Sequence, residues 1–255
     1  MRNLPDTSTD WDQPQTDVKQ NYLVCSMPRT GSNLLCFTLA KQGLGVPLEY
    51  LNLVENIPMI QFMMRLGGTT QALYGEKEEL LRFYLPQIQN HRTTPNGMFG
   101  VKIFSNHLWF DNDLNGILQY MNNPKIVFVY RNDLIDLAIS YYFAYRTGLW
   151  HEQESRKQKD PAYDFDGIFS FLDDARQRAA KWKQVFKASK TNKKMICKVQ
   201  YSDLANNFEY TIRRVNGFLG HPNLDVPLAP IQKQRHPLKQ IYKERFVREL
   251  KTYRS

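Results

Sequence analysis

The stretch NYLVCSMPRTGSNLL, residues 21–35, joins an apolar run to a polar loop and then to a segment with helical spacing. The run at 21–27 predicts a buried strand, and residues 32–42 predict a helix. A short loop with a glycine and hydroxyl side chains at this junction favours anion binding. The reason is that the first N–H groups of a helix lack partners and the helix dipole is positive there.

Beyond this stretch the chain alternates apolar strands with helices. Three further strands are predicted, at 98–104, 125–131 and 195–201. Helices are predicted at 53–92, at 133–148 with Asp133 as N-cap, at 167–189, at 202–220 with Ser202 as N-cap, and at 237–250. The alternation predicts an α/β protein with a central, mostly parallel sheet flanked by helices. Because ligands bind beyond the carboxyl ends of such strands, the strand ends are expected to surround one crevice.

Length and composition favour one large domain, predicted for residues 21–255, since the chain has 255 residues of which 42% are hydrophobic. Residues 1–20 are polar, with two prolines and four aspartates, and predict a flexible leader. No apolar run approaches 18 residues, so no membrane span is predicted. The three cysteines show no disulfide or zinc spacing, which favours a reducing, cytoplasmic location.

The net charge of +9 indicates either solvated helix faces or an anionic partner. Such a partner is a nucleic acid, a membrane surface or a polyanionic small molecule. No helix interleaves several basic residues with aromatics on one face, and no zinc or other reader motif is present. Nucleic acid is therefore not predicted as a partner.

The first loop carries groups suited to phosphate or sulfate. Gly31 allows the backbone to approach an anion closely, Arg29 supplies a charged guanidinium, and Ser32 can donate a hydroxyl. The loop does not match G-x-x-x-x-G-K-[ST], the pattern of nucleotide triphosphatases. Taken alone, it is also compatible with an ordinary strand-to-helix turn capped by serine.

A second motif, VFVYRNDLIDLAIS at 127–140, ends a strand with Arg131 and carries Ser140 nine residues later on the next helix. A guanidinium at the strand end and a hydroxyl on the helix can converge on one phosphate from two sides. The alternative for Arg131 is a salt bridge with Asp133 or Asp136.

The two motifs together resemble the two phosphate-binding motifs of sulfotransferases. YLVCSMPRTGSNLL resembles their 5′-phosphosulfate loop, and residues 125–150 resemble their 3′-phosphate motif. The nine-residue spacing, the R-x-D and the trailing TGLWH are similar to the Stf0 family, and the resemblance covers roughly residues 21–250. It implies a P-loop-like, three-layer form of the α/β fold. It also implies the donor 3′-phosphoadenosine 5′-phosphosulfate and no metal, since fixed cations and amides would hold the developing charge.

The resemblance also implies individual roles. The residues expected to bind the donor are Arg29, Thr30, Gly31, Ser32, Asn33, Leu34, Arg131, Ser140, Tyr201, Gln234 and Arg235. Core packing is the alternative for Tyr201. Arg29 and Lys102 are expected to stabilise charge in the transition state.

The base that removes the acceptor's proton is implied to be Glu49, in GVPLEYLN. The alternative for Glu49 is a structural partner of Arg29 or Lys102. His107 is then the second candidate base. Trp150 and His151, in TGLWH, are candidates for the acceptor pocket or for a subunit interface.

The sequence thus predicts in-line transfer of a sulfuryl group to a hydroxyl of a carbohydrate or another small metabolite. The resemblance is compatible with a homodimer. Two other classes stay open: a phosphate-loop kinase-like nucleotide-binding protein, which would need magnesium, and a basic nucleic-acid-binding module.

Overall fold

The computed structural model describes residues 8–52, 77–105, 114–149, 160–189, 191–230 and 236–253. The predicted helical residues 53–76 lie outside these ranges. Within them, four strands form one sheet: β1 Gln20–Ser26, β2 Met98–Phe104, β3 Lys125–Tyr130 and β4 Ile196–Gln200. The strand order is β2-β1-β3-β4, and every pairing is parallel. The predicted α/β fold with a central parallel sheet is confirmed.

The helices of the described ranges follow or precede these strands. They are α1 Ser32–Lys41, α2 Lys77–Arg92, α3 Leu114–Tyr120, α4 Leu134–Thr147, α5 Phe165–Ala188, α6 Tyr201–Asn206, α7 Phe208–Leu219 and α8 Pro237–Tyr253. None of the helices in this part of the chain is long and apolar enough to cross a bilayer.

Alternation along β1 divides the core into two layers, because successive side chains of a strand point to opposite faces. Leu23 and Cys25 belong to a buried cluster that includes Trp182 of α5. Val24 belongs to a second cluster, with Leu39 of α1. Helices therefore cover both faces of the sheet, which gives the three-layer arrangement. A third cluster joins α4, α5 and α8.

The region after β4 differs from the prediction. Residues 202–220 form two helices and not one, because Asn207, with φ −127° and ψ 50°, interrupts the helical backbone between α6 and α7. Ser202 is not the N-cap. It lies inside α6, which begins at Tyr201 with Gln200 as its N-cap residue. The Ser202 hydroxyl lies 3.5 Å from the Asp203 carboxylate.

Residues 8–20 are the described part of the predicted leader, and they contact the rest of the chain. Trp11 is buried and stacks on Phe37 of α1 with ring centroids 5.8 Å apart. Asp12 pairs with the fully buried Arg92. The Lys19 N–H donates to the Gly97 carbonyl at 2.9 Å. The described part of the segment therefore packs on the core, because the Trp11 ring and the ion pair of Asp12 with Arg92 hold it there.

Candidate functional site

The site lies at the carboxyl edge of the sheet. β1 lies between β2 and β3, so the chain leaves β1 toward one side of the sheet and later returns to the other. This reversal opens a crevice beyond the end of β1. The β1–α1 loop, Arg131 after β3, and Tyr201 after β4 lie at this edge.

The loop between β1 and α1 has an unusual backbone. Arg29 has φ 65° and Gly31 has φ 80°, both in the left-handed region. For a non-glycine residue such as Arg29 this conformation costs about 1–2 kcal/mol, so surrounding contacts must hold it. The Thr30 hydroxyl supplies one contact by donating to the Met27 carbonyl at 2.8 Å.

Tyr201 covers the loop from the side of β4. A Cβ atom added to Gly31 would lie 2.9 Å from Cδ2 of Tyr201, closer than real Cβ contacts allow. On the same tyrosine ring lies the Arg131 guanidinium, whose carbon is 4.3 Å from the ring centroid. A cation over an aromatic ring is stabilised by the ring quadrupole. Tyr201 therefore connects the two motifs that the sequence places more than 90 residues apart.

Arg131 is nearly buried and held from several directions. Its Nη1 donates to the Arg29 carbonyl at 3.2 Å, and its Nη2 pairs with Asp136. Burial lowers the pKa of the Arg131 guanidinium, while its interactions with Tyr201 and Asp133 act in the opposite direction. An arginine stays charged despite such a shift. The predicted alternative, a salt bridge to Asp136, is thus present. Asp133 instead caps α4 by accepting from the Asp136 N–H at 2.9 Å.

Ser140 on α4 completes a first group of site residues, which also contains Arg29, Gly31, Arg131 and Tyr201. The Arg29 Nε donates to the Ser140 hydroxyl oxygen at 3.3 Å. Asp136 and Ser140 are four residues apart on α4, so they share one face of the helix. That face therefore presents a carboxylate to Arg131 and a hydroxyl to Arg29.

A second group surrounds Lys102, near the end of β2. Lys102 is only 3% exposed, and its Nζ lies 2.7 Å from Oε1 of Glu49. The same Nζ contacts Oδ1 of Asn33 in the first turn of α1. A buried ammonium needs such partners because its desolvation is costly. Lys102 therefore links the first turn of α1 to Glu49, the residue that the sequence predicts as the general base.

The segment that carries Glu49 is attached to β2 by backbone contacts. Leu48 forms an isolated parallel bridge with Val101, and the Lys102 N–H donates to the Leu48 carbonyl at 2.9 Å. The Glu49 side chain keeps 19% of its surface exposed. The Glu49 side chain thus keeps part of its surface accessible, while its backbone is fixed by the sheet edge.

The structure brings two sets of the predicted site residues together. The first set comprises Arg29, Gly31, Arg131, Ser140 and Tyr201, and the second comprises Asn33, Lys102 and Glu49. Ser32 and Leu34 lie in the first turn of α1. Predicted residues outside the described ranges are His107, Trp150, His151, Gln234 and Arg235.

Three polar side chains near the site did not enter the sequence argument. Ser26 Oγ at the end of β1 and Ser105 Oγ after β2 are buried, and neither has a hydrogen-bond partner in the part of the chain that is described. Asn52 donates from Nδ2 to Oε2 of Glu49 at 3.3 Å. Only its spacing of three residues from Glu49 could have suggested this contact, and that signal is weak.

Comparison with known proteins locates the chain among its relatives. Residues 21–249 match the model of the Stf0 sulphotransferase family. Trehalose 2-sulfotransferase of Mycolicibacterium smegmatis (strain ATCC 700084 / mc(2)155) is 26% identical over 178 residues, which cover 58% of this chain and 64% of that protein. The match thus spans less than two thirds of that relative's length.

Solved structures with a similar arrangement include sulfotransferase STF9 from Mycobacterium avium, with 12% identity and a TM-score of 0.47. The alignment covers 92% of this chain and 69% of STF9. Mouse sulfotransferase SULT7A1 complexed with PAP has 13% identity and a TM-score of 0.43, with 94% of this chain and 66% of that chain covered.

Proposed function

The chain belongs to the Stf0 sulphotransferase family, and on this premise we propose that it is a sulfotransferase. Its donor is 3′-phosphoadenosine 5′-phosphosulfate, and its acceptor is a hydroxyl of a carbohydrate or another small metabolite. One observation carries the proposal: the two anion motifs meet. Arg29 Nε lies 3.3 Å from Ser140 Oγ, and Arg131 Nη1 lies 3.2 Å from the Arg29 carbonyl.

On the donor side, Arg131 and Ser140 bind the 3′-phosphate. Arg29 and the backbone N–H groups of residues 30–34 bind the 5′-phosphosulfate, since unpaired amides at a helix start and a guanidinium suit such oxygens. The absence of a Cβ at Gly31 fits this role, because it leaves room for both the Tyr201 ring and a close anion. Tyr201 lies beside the nucleotide.

On the acceptor side, Glu49 is the general base. The acceptor oxygen forms a bond to sulfur while the bond from sulfur to the bridging oxygen of the 5′-phosphate breaks in line. The electron pair of the broken bond stays on the 5′-phosphate, and the acceptor's proton passes to the Glu49 carboxylate. Arg29 and Lys102 stabilise the charge on the transferring and leaving groups, and each is worth about 3 kcal/mol in the transition state.

The name of the curated relative supports a carbohydrate-like acceptor for this chain as well, since trehalose is a sugar. A cytoplasmic location, a homodimer and a single domain over residues 21–255 stay predictions.

Donor binding is tested by calorimetry with adenosine 3′,5′-bisphosphate in the absence of magnesium. We expect binding by the unmodified protein and weakening by at least about 10-fold in both Arg29→Ala and Arg131→Ala, because each loses a charge-assisted contact. Arg213→Ala is the control, since Arg213 is exposed on α7 and pairs with Glu209 four residues earlier. Binding of ATP with magnesium, and none of the bisphosphate, would favour the phosphate-loop kinase instead.

Transfer is tested with ³⁵S-labelled donor and a small-molecule extract of bacterial cells, with trehalose as a defined acceptor in parallel. Glu49→Gln should keep bisphosphate affinity but lower the rate of label transfer by roughly 100-fold or more, since it cannot take a proton. Glu209→Gln, on the surface of α7, is the matched control. Retained turnover in Glu49→Gln would remove Glu49 as the base and promote His107.

A further inference from the structure

We infer that Asn52 is a positioning residue that holds the Glu49 carboxylate in its reactive orientation. The inference rests on the proposed role of Glu49 as general base. Residues 49–52 form a tight turn, in which the Asn52 N–H donates to the Glu49 carbonyl at 3.0 Å. The Asn52 side chain then returns to the same residue, with Nδ2 donating to Oε2 at 3.3 Å.

The two oxygens of this carboxylate have different partners. Oε2 accepts from Asn52, and Oε1 lies 2.7 Å from the Lys102 ammonium. One contact alone would let the carboxylate rotate about its terminal torsion, which is broad for glutamate. Two donors, one on each oxygen, restrict this rotation and with it the direction of the remaining lone pairs.

The turn that carries Asn52 is anchored in the core. Tyr50 and Leu51 are buried, and the Tyr50 hydroxyl donates to the Val46 carbonyl at 2.7 Å. Asn52 itself is only 7% exposed. Its amide is therefore held in place by packing, as a group that orients another group must be.

The carbonyl oxygen of the Asn52 side chain indicates why position 52 carries an amide. Its Oδ1 is buried and has no hydrogen-bond partner in the described part of the chain. A buried acceptor without a partner costs stability, whereas a leucine of similar size would fill the same space without that cost. Within the described residues, the side-chain contact that the amide makes is with Glu49. The hydrogen bond from Nδ2 to Glu49 thus offsets the cost of burying Oδ1.

A general base must direct a lone pair at the proton within hydrogen-bond distance. Losing the Nδ2 donor leaves the Glu49 carboxylate present and paired with Lys102, but without the contact that holds Oε2. The expected consequence is a lower rate of transfer with unchanged donor binding, because the Asn52 side chain donates to Glu49, whereas Arg29 and Arg131 contact Ser140 and each other.

The test is a double-mutant cycle between positions 52 and 49. Asn52→Leu should lower the maximal rate of ³⁵S transfer into the small-molecule extract by about 10-fold, since small misplacements of a reacting group cost this much or more. The half-saturating donor concentration and the bisphosphate affinity should stay within about 2-fold of the unmodified protein. In the Glu49→Gln background, the same substitution should change the residual rate by less than about 2-fold.

Two results would overturn the inference: an unchanged rate in Asn52→Leu, or an equal loss in both backgrounds. Thermal unfolding checks that Asn52→Leu is folded, and Asn52→Ser replaces it in the cycle if it is not. Failure of the proposed role of Glu49 has a different signature, since Glu49→Gln alone then retains full transfer, whatever the result at position 52. Failure of the proposed function itself appears as no label transfer by the unmodified protein.

Discussion

Gly31 combines two constraints on a single residue. Its φ of 80° lies in the left-handed region, and an added Cβ would lie 2.9 Å from the Tyr201 ring. Because Tyr201 also carries the Arg131 guanidinium on its face, a displaced ring disturbs the arginine as well. The residue is therefore needed both for the turn of the loop and for the close approach of Tyr201.

We expect Gly31→Ala to lower the free energy of unfolding by about 2 kcal/mol, through left-handed strain and the clash. It should also weaken binding of adenosine 3′,5′-bisphosphate by at least about 10-fold, since the Tyr201–Arg131 pair must shift. Urea unfolding and calorimetry measure the two effects. Gly43→Ala is the control, because Gly43 has φ 70° but nothing within 4 Å of an added Cβ. Equal bisphosphate affinity in the two variants would contradict this account.

Single residues also show how far the sequence alone could lead. The convergence of Arg131 and Arg29 was predictable because Arg131 directly follows one parallel strand and Arg29 lies in the loop after another, and strand ends meet at one edge. Tyr201 was predictable for the same reason. The contact of Asn52 with Glu49 was not, since it depends on a turn whose conformation no residue type in GVPLEYLN dictates. The pairing of Arg131 with Asp136 and not Asp133 likewise depends on which carboxylate caps α4.

Among the elements, the helices with strong capping signals were predicted most closely. α4 has its predicted cap at Asp133 and ends before Gly148, which adopts φ 68°. The break at Asn207 was missed because the apolar spacing continues across it, so periodicity alone cannot separate α6 from α7. α3 was also missed. Its sequence LNGILQY contains a glycine and spans only 7 residues, which gives a weak helical signal.

The 24-residue helix α5 offers a test at this scale, since Asp164 caps its start. The Asp164 carboxylate accepts from the Gly167 N–H at 2.9 Å and pairs with Arg146 at 3.0 Å. The hydrogen bond from Gly167 holds the pKa of the Asp164 carboxyl below its usual value, burial opposes this effect, and Arg146 adds to it. Because this pKa is lower in the folded state, its stabilisation is present at neutral pH and is lost as the pH falls below about 4.

Asp164→Ala should therefore lower the free energy of unfolding by about 1 kcal/mol at pH 7, the usual contribution of an N-cap. The difference from the unmodified protein should shrink as the pH is lowered through about 4 toward 3. Urea unfolding over this pH range is the measurement. Asp166→Ala removes the same charge from the first turn of α5 without removing the cap residue, and should cost less. A cost that is equal in the two variants, or independent of pH, would show that the cap is not its source.

For the whole molecule, the alternation of strands and helices predicted the fold. It did not predict that residues 8–20 pack on the core. The polar composition of residues 1–20 hides a single buried ring at Trp11 and a carboxylate at Asp12 that meets Arg92. Long-range pairing of this kind joins positions 80 residues apart and leaves no local pattern. Composition predicts how a segment behaves on average and cannot reveal one specific contact.

The pair of Asp12 and Arg92 leads to the last prediction. The Arg92 side chain is fully buried, and its Nη2 also donates to the Ser8 carbonyl at 3.1 Å. Asp12→Ala should lower the free energy of unfolding by about 3 kcal/mol, because it leaves a buried guanidinium without its carboxylate. Asp17→Ala, which removes the same charge from an exposed position of the same segment, should change it by less than about 0.5 kcal/mol. Similar urea midpoints for the two variants would mean that the segment contributes little to the stability of the body on which it packs.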